Sequence, residues 1–197
     1  MKEIPFLKVG AFYGGNQYWM LRPMMRLGGC STVCACHAAA LLAARGDGRE
    51  ALCPFEGLEC TRREFRAFFR TMFEYVYPSE MGMPELSLFK EAFGAYAESR
   101  DCEVNFELVE GSEPLERAAE AAERALSEGF SPQFLLLRHK DKDIDDIEWH
   151  WFSITGFERE GGDMLLAFST WGERRTISLS KLWDTGLEER GGLLIAR

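Results

Sequence analysis

The apolar side chains of this chain change their period once along its length, and that change fixes the order in which helices and strands can follow one another. In the four helical segments before residue 128 they recur at helical spacing; from residue 134 they come in short runs divided by turn residues. Residues 33 to about 44 are alanine-rich and form a helix readily. Thr61-Arg62-Arg63-Glu64 is a capping box, after which Phe65, Phe68, Phe69, Met72, Phe73 and Val76 share one helical face up to Pro78. A third helix is predicted from near Pro84, burying Leu86, Phe89, Phe93 and Tyr96. A fourth is predicted over 113–128, stopped by Gly129. Strands are predicted over 134–138, 149–157, 164–169, 175–179 and 193–196, with an earlier one over 104–109. Gly161-Gly162 makes a hairpin of the second and third of these. Helices first and a mostly antiparallel sheet last define an α+β chain. Residues 11–32, with four glycines, a proline and four aromatics, read as loop.

The chain has 197 residues, enough for one well-filled core, and no linker-like stretch divides it, so a single domain over 1–197 is expected. Thirty-two acidic residues against 23 basic ones give a formal charge of −9. That balance argues against an electrostatic grip on nucleic acid or an anionic membrane. Arg62, Arg63, Arg66 and Arg70 fall largely on one helical face, which reads as a solvated face. The start of the chain lacks the apolar core of a secretion signal, and no apolar run approaches spanning length. Six cysteines without such a signal suggest free thiols in a reducing compartment, with the cytoplasm as the default location.

Three segments can hold chemistry. Gly28-Gly29-Cys30 runs directly into the alanine-rich helix. A thiol at a helix N-terminus meets the positive end of the macrodipole, which favours the thiolate. His150 opens a strand, sharing a face with Phe152 and Ile154, opposite Trp149 and Trp151. Ser169-Thr170-Trp171-Gly172 ends the partner strand of the hairpin and so returns to His150, where a side chain could orient the imidazole.

In this order the segments resemble papain-like cysteine peptidases, which run from an oxyanion-hole Gln through a helix-start Cys and a strand His to an Asn-Ser-Trp-Gly segment. Gln17, Cys30, His150 and Ser169-Thr170-Trp171-Gly172 stand in that order here. The stretch from His150 to Gly156 is similar to the family's pattern of His, apolar strand and Gly. The likeness is greater to bacterial domains of the bacteriocin-processing type, in which a Gly-Cys-Gly-Pro turn leads into an alanine-rich helix. The resemblance implies a papain-like fold with the helical N-terminal half packed on the C-terminal sheet. It implies Cys30 as nucleophile, His150 as base and Ser169 as orienter, supported by Gln17 and Trp171. It further implies hydrolysis of a peptide or small acyl-amide substrate without a cofactor. Ser31-Thr32 replaces the Gly-Pro of the bacterial domains, and Ser169 stands where the family has Asn or Asp.

Other readings stay open at this level. Cys34 is an alternative nucleophile, and the same fold could be a catalytically impaired binding module or an acyltransferase. Cys30, Cys34, Cys36 and His37 are zinc-type ligands, but on a continuous helix Cys36 points away from the rest and no CxxC pair exists, so no metal is expected. The acidic run of Asp141, Asp143, Asp145, Asp146 and Glu148 lacks the spacing of a calcium loop and reads as solvated.

Overall fold

The computed structural model describes residues 1–79 and 82–197. Three short strands come first, β1 (Lys2–Glu3), β2 (Lys8–Val9) and β3 (Phe12–Tyr13), followed by α1 (Pro23–Leu27) and α2 (Cys30–Ala43). Next come β4 (Glu59–Cys60), α3 (Arg62–Phe73), α4 (Leu86–Glu98), β5 (Phe106–Glu110) and α5 (Leu115–Ser127). The remaining elements are β6 (Gln133–Leu136), β7 (His150–Glu160), β8 (Asp163–Thr170), β9 (Glu173–Ser178), α6 (Leu179–Trp183) and β10 (Gly191–Ala196).

The main sheet runs β5-β10-β6-β7-β8-β9, with every pairing antiparallel and β1 added beside the far half of β7. A small second sheet joins β3, β2 and β4. The chain is therefore mixed α+β, with an antiparallel sheet built mainly from its C-terminal half. Gly161 and Gly162 both have positive φ, 58° and 90°, which supplies the backbone twist of a two-residue hairpin between β7 and β8.

Alternation along the strands divides the core in two. Leu135, Trp151, Leu194 and Ala196 pack with α2, α3 and α4 on one side of the sheet. Phe134, Phe152, Ile154, Leu193 and Ile195 pack with α5 and α6 on the other. All fourteen residues of α2 are buried, so it has no polar face; its alanines and cysteines let it lie close to β7 while α3 covers its other side. Gly29 permits the approach at its N-terminus. A Cβ there would overlap the Met25 carbonyl and come within 2.7 Å of the Phe69 ring.

Some boundaries differ from the sequence expectation. The capping box forms as predicted, with Thr61 Oγ1 accepting from the Glu64 N–H, but α3 ends at Phe73, before Pro78. The presumed loop over 11–32 contains β3 and α1, and a further short helix follows β9. These pieces are too short for periodicity to reveal and are held by tertiary packing. Trp19, for instance, lies edge-on to both Phe12 and Phe65.

Candidate active site at the start of α2

Gln17, Cys30, Cys34, His150, Ser169, Thr170 and Trp171 line one small cavity of about 10 Å³, room for about one water molecule. On its other side Cys30 lines a larger, mostly apolar cleft of about 350 Å³, walled by Met24, Leu27, Leu135, Leu137, Trp149 and Trp151. Cys30 and Trp151 thus border both the apolar cleft and the cavity that His150 lines.

Cys30 is the first residue of α2 and only 6% exposed. Desolvation pushes its pKa above the ordinary value, although backbone hydrogen bonds from Trp151 and Ser31 pull the other way. The direction is opposite to the lowered thiol pKa expected from the position at a helix start, and desolvation is its largest cause. Cys34 lies a turn inside α2, with its sulfur 3.7 Å from Ser153 Oγ, and burial raises its pKa well above the usual range.

His150 is buried, and desolvation lowers its pKa to about 4, so the ring is neutral at pH 7. Trp171 lies against it, with ring centroids 4.7 Å apart. Its Nε2 is 2.7 Å from Thr170 Oγ1, while among the described residues Nδ1 has no hydrogen-bond partner and no hydrogen bond joins His150 to Cys30. Two tryptophans in the left-handed backbone region bracket this strand pair, Trp149 (φ 52°) just before His150 and Trp171 (φ 51°) just after Thr170. For bulky residues this is a strained conformation, of the kind that clusters at functional sites.

Ser169 lines the cavity but does not touch the imidazole. Its hydroxyl donates to the Tyr13 carbonyl at 2.7 Å, and the residue bonded to His150 is Thr170. The reason is the two-residue strand period. Ser169 pairs directly with Ser153 and so shares the face of Trp151, whereas Thr170 shares the face of His150 and Phe152. The alternation assigned to β7, applied to β8, would have picked out Thr170. Gln17 donates one amide N–H to the Arg26 carbonyl at 3.0 Å, which leaves its second N–H for the cavity.

The same arrangement bears on Ser169→Asn, the change that would restore the residue of the resembling family. Ser169 is 1% exposed, and even a Cβ added at Gly14 would overlap its Oγ. The longer amide is therefore expected to overpack the site and lose the Tyr13 bond, lowering stability by about 2 kcal/mol rather than improving an active site. Urea denaturation reads this directly; an unchanged midpoint would show that the site has room.

His37, weighed above as a metal ligand, is committed elsewhere. Its Nε2 accepts the Gly15 N–H at 2.7 Å, which leaves Nδ1–H to donate to Ser153 Oγ at 2.9 Å. Ser153 in turn donates to Gln133 Oε1 at 2.6 Å, and Gln133 Nε2 to the Ser131 carbonyl at 2.9 Å. This one-way chain ties the Gly14–Gly15 turn to α2 and to the sheet, and burial holds the His37 pKa down at about 3. Among the described residues no group of three or more His, Cys, Asp or Glu side chains is arranged to hold a metal ion. No helix among them is long and apolar enough to cross a membrane.

No protein-family model and no curated protein matches the chain. Among solved structures, the Pseudomonas avirulence protein AvrPphB is similar to it at 12% identity and a TM-score of 0.37, over 89% of this chain and 93% of that one. A likeness of that size settles neither fold family nor activity, and the functional reading rests on the site.

Proposed function

We propose that this chain is a thiol-dependent acyl-transfer enzyme with a papain-like fold, a cysteine peptidase or amidase in which Cys30 is the nucleophile and His150 the base. The observation that carries the reading is the position of Cys30, at a helix N-terminus between an apolar cleft that can seat a substrate and a cavity that holds a neutral imidazole. His150 Nε2 lies 2.7 Å from Thr170 Oγ1, and in this mechanism Nε2–H donates to that hydroxyl so that Nδ1 carries the lone pair of the base. Cys30 and His150 both line this cavity, and in this mechanism the thiol proton passes to the imidazole, directly or through one water, as sulfur attacks the acyl carbon. The imidazolium then protonates the departing amine, and water hydrolyses the Cys30 thioester. The free N–H groups at the start of α2 and the remaining N–H of Gln17 would receive the developing oxyanion. An apolar, uncharged group next to the scissile carbonyl suits the cleft, in which Met24, Leu27, Trp149 and Trp151 are wall residues.

The decisive experiment is to mix the protein with an activated ester or thioester of an apolar acid and determine intact mass and peptide map. A stable or transient adduct of one acyl group on Cys30 is expected. An adduct on Cys34 would move the nucleophile one turn along α2. A catalytically impaired binding module is the second reading, favoured by the raised thiol pKa and the missing Cys30–His150 hydrogen bond. The absence of any cysteine adduct in the folded protein would select it.

A further inference from the structure

The basic cluster on α3 is left unused by this chemistry, and the structure gives it a setting that a solvated face would not have. Arg66 and Arg70 lie one turn apart on α3 and, with Arg22 from the turn before α1, line a cleft of about 400 Å³. Phe73 and Tyr77, in edge contact at 5.0 Å, form an aromatic part of its wall, and Glu74 is its one carboxylate.

Nine of the fourteen other arginines of this acidic chain hold carboxylates: Arg45, Arg49, Arg117, Arg124, Arg138, Arg159, Arg174, Arg175 and Arg197. Among the described residues, Arg22, Arg66 and Arg70 form no ion pair and no side-chain hydrogen bond. Like charges at i and i+4 destabilise a helix, and here a third guanidinium is added from across the cleft. Three positive charges against one negative leave the cleft close to +2, in a protein whose formal charge is −9.

From this we infer that the cleft is a binding site for a small phosphate ester with an apolar or aromatic body. A phosphate monoester carries nearly two negative charges at neutral pH, and its oxygens match the planar fork of a guanidinium, which a solvated surface does not require. The aromatic wall takes the body of the ligand and distinguishes an ester from free phosphate. Helix α1 separates this cleft from the one at Cys30: Met24 and Leu27 face one, Arg22 and Met25 the other. The inference therefore stands apart from the role of Cys30, and either can fail alone.

The test is calorimetric titration of the full chain with phenyl phosphate, inorganic phosphate and phenol, at low and high salt. Phenyl phosphate is expected to bind saturably and more tightly than either fragment, with affinity falling as salt rises. Arg66→Gln/Arg70→Gln should weaken it at least about tenfold. This variant removes a repulsive pair and should fold as well as the parent. Arg63→Gln, on the same helix but outside the cleft, should leave affinity within about twofold. Arg22→Gln tests the opposite wall independently. Equal binding of phenol, binding of a short acidic peptide without phenyl phosphate, or affinity indifferent to both arginine variants would each overturn the assignment.

Discussion

Replacing Cys30 by alanine is expected to lower kcat/KM on any acyl substrate by at least about a thousandfold, roughly 4 kcal/mol of transition-state stabilisation. The size follows from the role: without the sulfur no thioester forms, and what remains is the positioning given by cleft and helix terminus. The substitution removes one buried atom, so the fold should survive it at a cost of about 1 kcal/mol, and circular dichroism separates lost chemistry from lost structure.

The pH profile supplies an independent mark of the site. Burial raises the Cys30 thiol and lowers His150 to about 4, so at pH 7 both are neutral and the reactive thiolate is scarce. Alkylation of Cys30 by iodoacetamide should be slow at pH 6 and climb steadily through pH 9. A reactive plateau near pH 6 would mean that a thiolate–imidazolium pair forms in spite of burial. Turnover by Cys30→Ala equal to the parent would remove the activity from this site altogether.

The second large effect is on stability in acid. His37 and His150 are buried and neutral in the folded chain, with pKa values of about 3 and about 4, whereas an unfolded histidine titrates near 6.5. A histidine whose folded pKa is depressed contributes stability that is complete above the unfolded value and is lost as pH falls, because the unfolded chain takes up the proton first. The loss runs from about pH 6.5 down to about 4 for His150 and about 3 for His37. Two such groups give a slope of roughly 2.5 kcal/mol per pH unit around pH 5.5, a large share of the 5–15 kcal/mol typical of a domain. The carboxylates held low by their partners act further down. Glu107, paired with Arg117, Arg124 and Arg197, and Asp163, bonded to Ser178 and Ser180, both titrate at about 2 when folded. Urea denaturation between pH 7 and pH 5 isolates the histidine window. His37→Gln should be less stable at pH 7.5, having lost the Gly15 and Ser153 geometry, yet show a slope shallower by about 1.4 kcal/mol per pH unit. A parent slope near zero over that range would show that both rings titrate in the folded chain as they do in the unfolded one, and that burial does not depress them.

Much of the architecture was legible from periodicity. The capping box at Thr61, the phenylalanine face of α3, the hairpin at Gly161-Gly162 and the order of helices before strands depend on neighbours in sequence, where local sterics and burial act together. The candidate site was legible only in part. Glycines before Cys30 and an alanine-rich run after it announce a helix start, and the returning hairpin announces that 169–171 and His150 meet.

Three things were decided by tertiary structure alone. Strand register set which of two adjacent hydroxyls reaches the imidazole, and it is Thr170, because a shift of one residue turns a side chain to the opposite face of a sheet. Burial set the direction of the Cys30 pKa shift, since desolvation depends on what covers the helix terminus, which neighbours in sequence do not report. The convergence of Arg22 with Arg66 and Arg70 required the start of α1 and the exposed face of α3 to border one cleft, and helical periodicity within α3 has no means of reporting a charge that arrives from another segment.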